Sequence, residues 1–103
     1  MSGLYAYVID RGLRAWIYVE FTTNRRAVTD YAVLLLVQQG EQLETVRVYD
    51  GAHGHNEMHR YTQSGGKQAA EVFNHDTLGA GMRAAIAEIK QGYAEMIDSW
   101  HRQ

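Results

Sequence analysis

The densest group of chemically reactive side chains lies in the segment YDGAHGHNEMHRY, residues 49–61. It holds three of the five histidines, together with an aspartate, a glutamate, an arginine and two tyrosines. Such groups in one short segment can bind a metal ion, exchange protons or hold a phosphate. The candidate residues are Tyr49, Asp50, His53, His55, Glu57, His59, Arg60 and Tyr61, with Lys67 shortly after them.

A metal site is one interpretation of this segment. His53, His55 and His59, with Asp50 or Glu57, offer nitrogen and oxygen ligands suited to zinc, nickel or manganese. The chain has no cysteine, so a thiolate zinc site is excluded. The H-x-H-x-x-x-H spacing permits a metal site but matches no zinc-finger spacing. Metal binding by the three histidines therefore stays open.

Acid/base chemistry is the second interpretation. Histidine titrates at about pH 6.5 when unperturbed, so His53 and His59 can serve as base and acid, with Asp50 fixing the tautomer of one ring. Arg60 and Lys67 would stabilise a phosphate. Tyr49 and Tyr61 would stack on a base, and His55 would support the pair. These are the parts needed for metal-independent cleavage of RNA, which requires no cofactor.

The same segment is also compatible with a solvated loop that has no chemical role. Asp50-Gly51 and His53-Gly54 are ordinary turn dipeptides. The two remaining histidines flank the last predicted element. His75 precedes a helix and His101 lies near its end, where a cation complements the helix dipole, so structural roles are expected for both.

The elements that must position these residues are short strands followed by one helix. Alternating and β-branched or aromatic runs predict strands at residues 4–9, 15–21, 31–37, 43–49, 58–62 and 70–73. The unbroken apolar run in the third of these predicts a central strand buried on both faces. Apolar residues then recur at helical spacing from Leu78 to Trp100, and Asp76 or Thr77 can cap the first turn.

This order predicts an α+β fold, in which an antiparallel sheet of about five or six strands packs against one long C-terminal helix. The chain is expected to be a single domain, 1–103, that is strand-rich over residues 3–73 and helical over about 76–101. The sheet face away from the helix would carry some of Tyr5, Tyr7, Trp16 and Tyr18, a surface suited to a homodimer or a partner protein.

Composition limits the classes of function. The formal net charge is −2, which argues against a protein that coats nucleic acid nonspecifically but allows a local basic patch. The sequence shows neither a secretory signal nor an apolar run long enough to span a membrane. We therefore expect a cytoplasmic protein with no membrane partner.

The stretch VRVYDGAHGHNEMHRY, residues 46–61, resembles the signature of small prokaryotic toxin-like domains of the TumE type and of related bacterial and phage domains. The residues that match are Tyr49, Asp50, His53, Gly54, His59 and Arg60, and the similarity covers the second half of the chain. Gly51 and Met58 depart from the pattern, at positions where an asparagine and a basic residue are usual. The resemblance implies an RNA target and a cognate antitoxin encoded nearby.

The leading hypothesis is therefore a toxin-like ribonuclease with His53, His59, Asp50 and Arg60 as catalytic residues. Residues Tyr49, His55, Tyr61 and Lys67 would bind the substrate. The alternative is a noncatalytic interaction module, such as a phage-encoded inhibitor or a dimeric accessory protein, that binds through the aromatic sheet face. A metal-binding protein that uses the three histidines is the third.

Overall fold

The computed structural model describes all residues of the chain, 1–103. Five long strands come first: β1 (Ser2–Asp10), β2 (Ala15–Asn24), β3 (Ala27–Gln39), β4 (Gln42–Asp50) and β5 (Glu57–Thr62). Two strands of two residues follow, β6 (Gly66–Lys67) and β7 (Glu71–Val72), and helix α1 spans Leu78–Arg102. The predicted α+β fold, an antiparallel sheet with one long C-terminal helix, is confirmed.

The sheet is a meander, because the five long strands lie side by side in the order in which they occur along the chain. Both short strands pair with β5, β6 at its C-terminal half and β7 at its start. Strand β1 therefore forms one edge of the sheet, and the site segment lies toward the other. The helix is neither long nor apolar enough to cross a membrane.

One face of the sheet is buried and the other is open. Along β2, Ala15, Ile17 and Val19 are fully buried, and along β3 the buried residues are Tyr31, Val33, Leu35 and Val37. These side chains alternate along their strands and therefore share one face, which the helix covers with Ala85, Ile89, Met96, Ile97 and Trp100. We estimate that each fully buried aliphatic side chain contributes about 1.5–3 kcal/mol of transfer free energy.

The expectation that the third strand is buried on both faces was wrong. Leu34 and Leu36 alternate with the core residues and are only half-buried on the opposite face. The physical reason is that a single helix covers a single face, and no second layer lies over the other.

The aromatic residues named in the sequence divide between the two faces. Tyr5 and Tyr7 are the cross-strand partners of the buried Val19 and Ile17, so they lie on the helix side. Their rings stack on each other, and Lys90 Nζ lies 5.7 Å from the centre of the Tyr7 ring. Trp16 and Tyr18 lie on the open face, where both are half-buried. The expected aromatic face therefore holds two of the four residues.

Side-chain hydrogen bonds cap the start of the helix and tie its middle to the sheet. Thr77 is the N-cap, and its hydroxyl accepts a hydrogen bond from the Ala80 amide at 3.0 Å. Near the other end of the sheet, the Asp10 carboxylate accepts hydrogen bonds from the Leu13 amide at 2.9 Å and from the Tyr93 hydroxyl at 2.8 Å. The Leu13 amide is the main cause, and the Tyr93 hydroxyl the second, of a lowered pKa at Asp10.

Candidate functional site

The candidate site is built on the loop between β4 and β5 and on the first half of β5. Asp50 ends β4, and its carboxylate accepts a hydrogen bond from the Ala52 amide at 3.2 Å, which starts a turn. Gly54 has a φ of 81°, a left-handed conformation that favours glycine, and its amide bonds to the Gly51 carbonyl at 3.0 Å. These turns carry His53 and His55 back over the start of β5.

Glu57 is the centre of the site, because three imidazoles surround its carboxylate. His53 Nδ1 lies 3.1 Å and His55 Nε2 2.8 Å from the same oxygen, Oε1. His59 Nε2 lies 3.8 Å from the other oxygen, Oε2. All three histidines therefore converge on this one carboxylate.

The members of this cluster differ in exposure in a way that suits a surface site. The side chains of Glu57 and His59 are only 11% and 14% exposed, whereas His53 and His55 are 74% and 64% exposed. A shielded carboxylate forms stronger electrostatic interactions than one in water. In this cluster Glu57 and His59 are shielded from solvent, and the imidazoles of His53 and His55 face solvent.

The tautomer of His59 follows from its second contact. Its Nδ1 lies 3.0 Å from the Gln68 carbonyl oxygen, which can only accept, so Nδ1 carries the hydrogen. His59 therefore turns Nε2 toward Glu57. A backbone carbonyl holds this ring in place, the role that the sequence assigned to Asp50.

Asn56 anchors the loop directly before Glu57. Its side-chain oxygen accepts a hydrogen bond from the Tyr31 hydroxyl at 2.6 Å. Its side-chain nitrogen donates to the carbonyls of His75 and Thr77, at 3.2 and 3.0 Å. The Asn56 amide group packs so closely on Gly81 of the helix that a β-carbon there would collide with it. The start of the helix thereby positions the start of β5.

Arg60 does not lie beside the histidines. Successive side chains of a strand point to opposite faces, so Arg60 lies on the helix side while His59 lies on the open side. Its guanidinium Nε pairs with Glu71 Oε2 at 2.9 Å. The predicted phosphate contact by Arg60 within the histidine cluster is therefore not supported by the geometry.

Asp50 and Tyr49 also occupy positions other than those expected. Asp50 is the cross-strand partner of Glu57, but it contacts no histidine, and Glu57 makes those contacts instead. Tyr49 is fully buried beneath the helix, where burial raises its pKa to about 12. A fully buried ring cannot stack on a nucleic-acid base.

The remaining predicted residues lie along the β5–β6 hairpin or at the helix ends. Lys67 is exposed and is the cross-strand partner of Tyr61, which packs partly against the core. The ring of His75 lies against Phe73 and that of His101 against Trp100, with ring centres 4.5 and 4.8 Å apart. Both contacts agree with structural roles for these two histidines.

No group of three or more histidine, cysteine, aspartate or glutamate side chains has an arrangement that could hold a metal ion. The imidazoles of His53 and His55 instead lie at hydrogen-bonding distance from one Glu57 oxygen. Sequence reasoning named Glu57 only as an alternative metal ligand and missed its central position. Strand alternation was the available signal, because residues 57 and 59 of one strand must share a face.

A comparison with family models matches residues 2–103, which include the whole sheet, the histidine cluster and the helix. The chain belongs to the family described as Domain of unknown function (DUF7718). No curated protein and no solved structure matches the DUF7718 chain. The resemblance to TumE-type domains stays a prediction.

Proposed function

We propose that this DUF7718 protein is a cytoplasmic, toxin-like ribonuclease that cleaves RNA by acid/base chemistry at the histidine cluster. The observation that supports the proposal is the convergence of His53, His55 and His59 on Glu57 at the surface. The resemblance to TumE-type domains supplies the substrate class and a cognate antitoxin as the partner.

In the proposed reaction one neutral imidazole removes the proton of a 2′-hydroxyl, and the 2′-oxygen then attacks the adjacent phosphorus. The bond from phosphorus to the 5′-oxygen breaks as a protonated imidazole donates its proton to that oxygen. The products are a 2′,3′-cyclic phosphate and a 5′-hydroxyl. His53 and His59 are the acid/base pair, and His55 contacts the substrate.

Glu57 takes the positioning role that the sequence suggested for Asp50. In the proposed reaction its carboxylate orients the rings of His53 and His55 through Oε1 and stabilises the positive charge on an imidazole that has taken up a proton. Because Arg60 is on the other face, the charge that develops on the phosphate is met by the imidazolium and by exposed Lys67.

The test is cleavage of a labelled RNA by purified protein in the presence of EDTA. Cleavage with a 2′,3′-cyclic phosphate product is expected, and His53→Ala, His59→Ala or Glu57→Gln should each lower the rate by about a hundredfold or more. The matched control is His101→Ala, an exposed histidine outside the cluster, which should retain the wild-type rate.

Two outcomes contradict the proposal. One is the absence of cleavage in every RNA tested with folded protein. The other is cleavage that persists in the cluster variants, because the activity would then arise elsewhere or from a contaminant.

A second candidate function, a noncatalytic interaction module, is favoured by the open face of the sheet. Trp16, Tyr18, Leu34, Leu36 and Val48 are half-buried there with no layer above them. His59 lies in the same cross-strand row as Val48, so the apolar surface runs up to the histidine cluster. A protein bound on this face would cover the cluster.

The two functions are separated by substitutions on that face. If Trp16→Ala or Tyr18→Ala abolishes binding of the product of the adjacent gene while His53→Ala and His59→Ala bind normally and RNA is never cleaved, the interaction module is the correct function. Tyr7 lies on the helix side and is the matched aromatic control.

A further inference from the structure

Strand β1 forms an unprotected edge of the sheet. Six of its nine residues are exposed, and Leu4, Tyr5 and Val8 are 63%, 42% and 39% exposed. The helix packs on β2, β3, β4 and β5, and it reaches β1 only through Lys90 at Tyr7 and Tyr93 at Asp10. An exposed apolar edge is a template for pairing with another strand.

The register of β1 identifies the backbone groups that point outward. Met1 and Thr23 exchange both of their backbone hydrogen bonds, at 2.9 and 2.6 Å. In an antiparallel pair, such residues alternate with residues that do not bond to the neighbouring strand. Gly3, Tyr5 and Tyr7 therefore bond inward to β2. Ser2, Leu4, Ala6 and Val8 direct their amides and carbonyls to the free edge.

Nothing within the chain satisfies these outward groups. None of the backbone hydrogen bonds outside the regular elements, and no side-chain bond, involves Ser2, Leu4, Ala6 or Val8. Natural edge strands usually carry lysine, proline or an inward charge that prevents pairing. Residues 2–9, SGLYAYVI, contain none of these.

We propose that β1 pairs antiparallel with β1 of a second copy of this chain, about a two-fold axis at Tyr5. In this register Ser2 faces Val8 of the other copy, and Leu4 faces Ala6, so each of the four residues exchanges both of its free groups with its mate. The same patch meets itself, as a two-fold interface requires. The two sheets become one continuous sheet.

The side chains favour the second copy as the occupant. Away from the axis each bulky residue meets a small one: Val8 meets Ser2, Tyr7 meets Gly3, and Leu4 meets Ala6. The two Tyr5 rings meet at the axis. Because residues 2–9 carry no charge, self-pairing brings no like charges together. Moving the axis to Ala6 instead places Leu4 against Val8 and Tyr5 against Tyr7, which crowds both faces.

The first experiment measures mass in solution by light scattering after gel filtration. The wild-type protein is expected at twice its 11.7 kDa chain mass. Ala6→Pro removes an outward amide without touching the bonds to β2, and Leu4→Lys places a charge on the edge, so both should give monomers. Leu43→Lys, at an apolar residue that is 51% exposed on β4, is the matched control and should stay dimeric. Circular dichroism establishes that each variant is folded.

The second experiment tests the register by oxidation, in a chain that has no cysteine of its own. At the axis the two Tyr5 positions form a non-bonded pair with Cα atoms about 4.5 Å apart, within disulfide range. Tyr5→Cys should therefore form a disulfide-linked dimer. In Tyr7→Cys the two cysteines are about 13 Å apart, so this variant should not crosslink.

Three outcomes overturn the proposal. The wild-type protein is a monomer at every concentration reached, or Ala6→Pro and Leu4→Lys are folded and still dimeric, or Tyr7→Cys crosslinks as well as Tyr5→Cys. If the wild-type protein is a monomer and its β1 pairs with a strand of a different protein, the proposal of self-pairing is also overturned.

Discussion

Asn56 is the residue whose loss should do most to release the candidate site from the fold. The change Asn56→Ala removes three hydrogen bonds, one from the Tyr31 hydroxyl and two to the carbonyls of His75 and Thr77. Asn56 is 5% exposed, so water does not simply replace the lost partner. The buried Tyr31 hydroxyl is left without an acceptor.

The expected cost follows from these contacts. Each hydrogen bond contributes about 1 kcal/mol net, and a buried polar group left unpaired costs about 1–3 kcal/mol. Asn56→Ala should therefore lower the free energy of unfolding by about 3–4 kcal/mol. For a domain of this length the corresponding fall in Tm is about 15–25 °C.

The assay is urea unfolding followed by circular dichroism. Asn74→Ala is the matched control, because Asn74 is exposed in the same region, and its cost should stay within about 0.5 kcal/mol. A double-mutant cycle with Tyr31→Phe should give a coupling energy above about 0.5 kcal/mol, since the two side chains share a hydrogen bond. A cost for Asn56→Ala below about 1 kcal/mol, or equal to that of Asn74→Ala, would refute the reasoning.

Three further predictions concern stability elsewhere in the chain. The pKa of Asp10 is lowered in the folded protein, so the contribution of Asp10 to stability is present above about pH 4 and is lost as the pH falls through the lowered pKa. The difference in Tm between wild type and Asp10→Asn should therefore shrink in acid, and a difference that stays constant contradicts this. The pKa of Tyr49 is raised from 10.0 to about 12, so its contribution is complete below pH 10 and is lost as the pH rises through 12; alkaline urea unfolding should show a loss that Tyr49→Phe reduces. Gly51→Ala would place a methyl 2.8 Å from Leu78 Cδ2 and should cost about 1–3 kcal/mol, whereas Gly12→Ala, whose nearest contact is a carboxylate oxygen at 3.4 Å, should cost less.

The elements of the fold were predictable because their signals are local. Aromatic and β-branched residues marked β2, alternation marked β4, and the spacing of Ile86, Ile89 and Trp100 marked the helix. Which sheet face the helix would cover is a tertiary property that no local pattern states. That is why Leu34 and Leu36 were expected to be buried, and why Tyr5 and Tyr7 were named among the candidates for the face away from the helix although they lie on the helix side.

The sequence was sufficient to predict which segment forms the candidate site, but not which side chains in it contact one another. The parity of β5 alone separates Arg60 from His59, so the position of Arg60 could have been inferred. Alternation places Glu57 on the face of His59, but it does not by itself decide between Asp50 and Glu57, because Asp50 is the cross-strand partner of Glu57 and lies on the same face. The conformation of the intervening loop, held by the bonds of Asn56, decides which carboxylate meets the imidazoles.

The meander order of the strands also bears on how the chain reaches its native state. Each long strand pairs with its neighbour along the chain, so the sheet can grow hairpin by hairpin, and each step closes only a short loop. The contacts that join residues far apart in the sequence are those between the helix and β3 and the hydrogen bond between Tyr93 and Asp10. We therefore expect the hairpins to form first and the helix to dock last, because the hairpin loops are short and the contacts between the helix and β3 join distant parts of the chain.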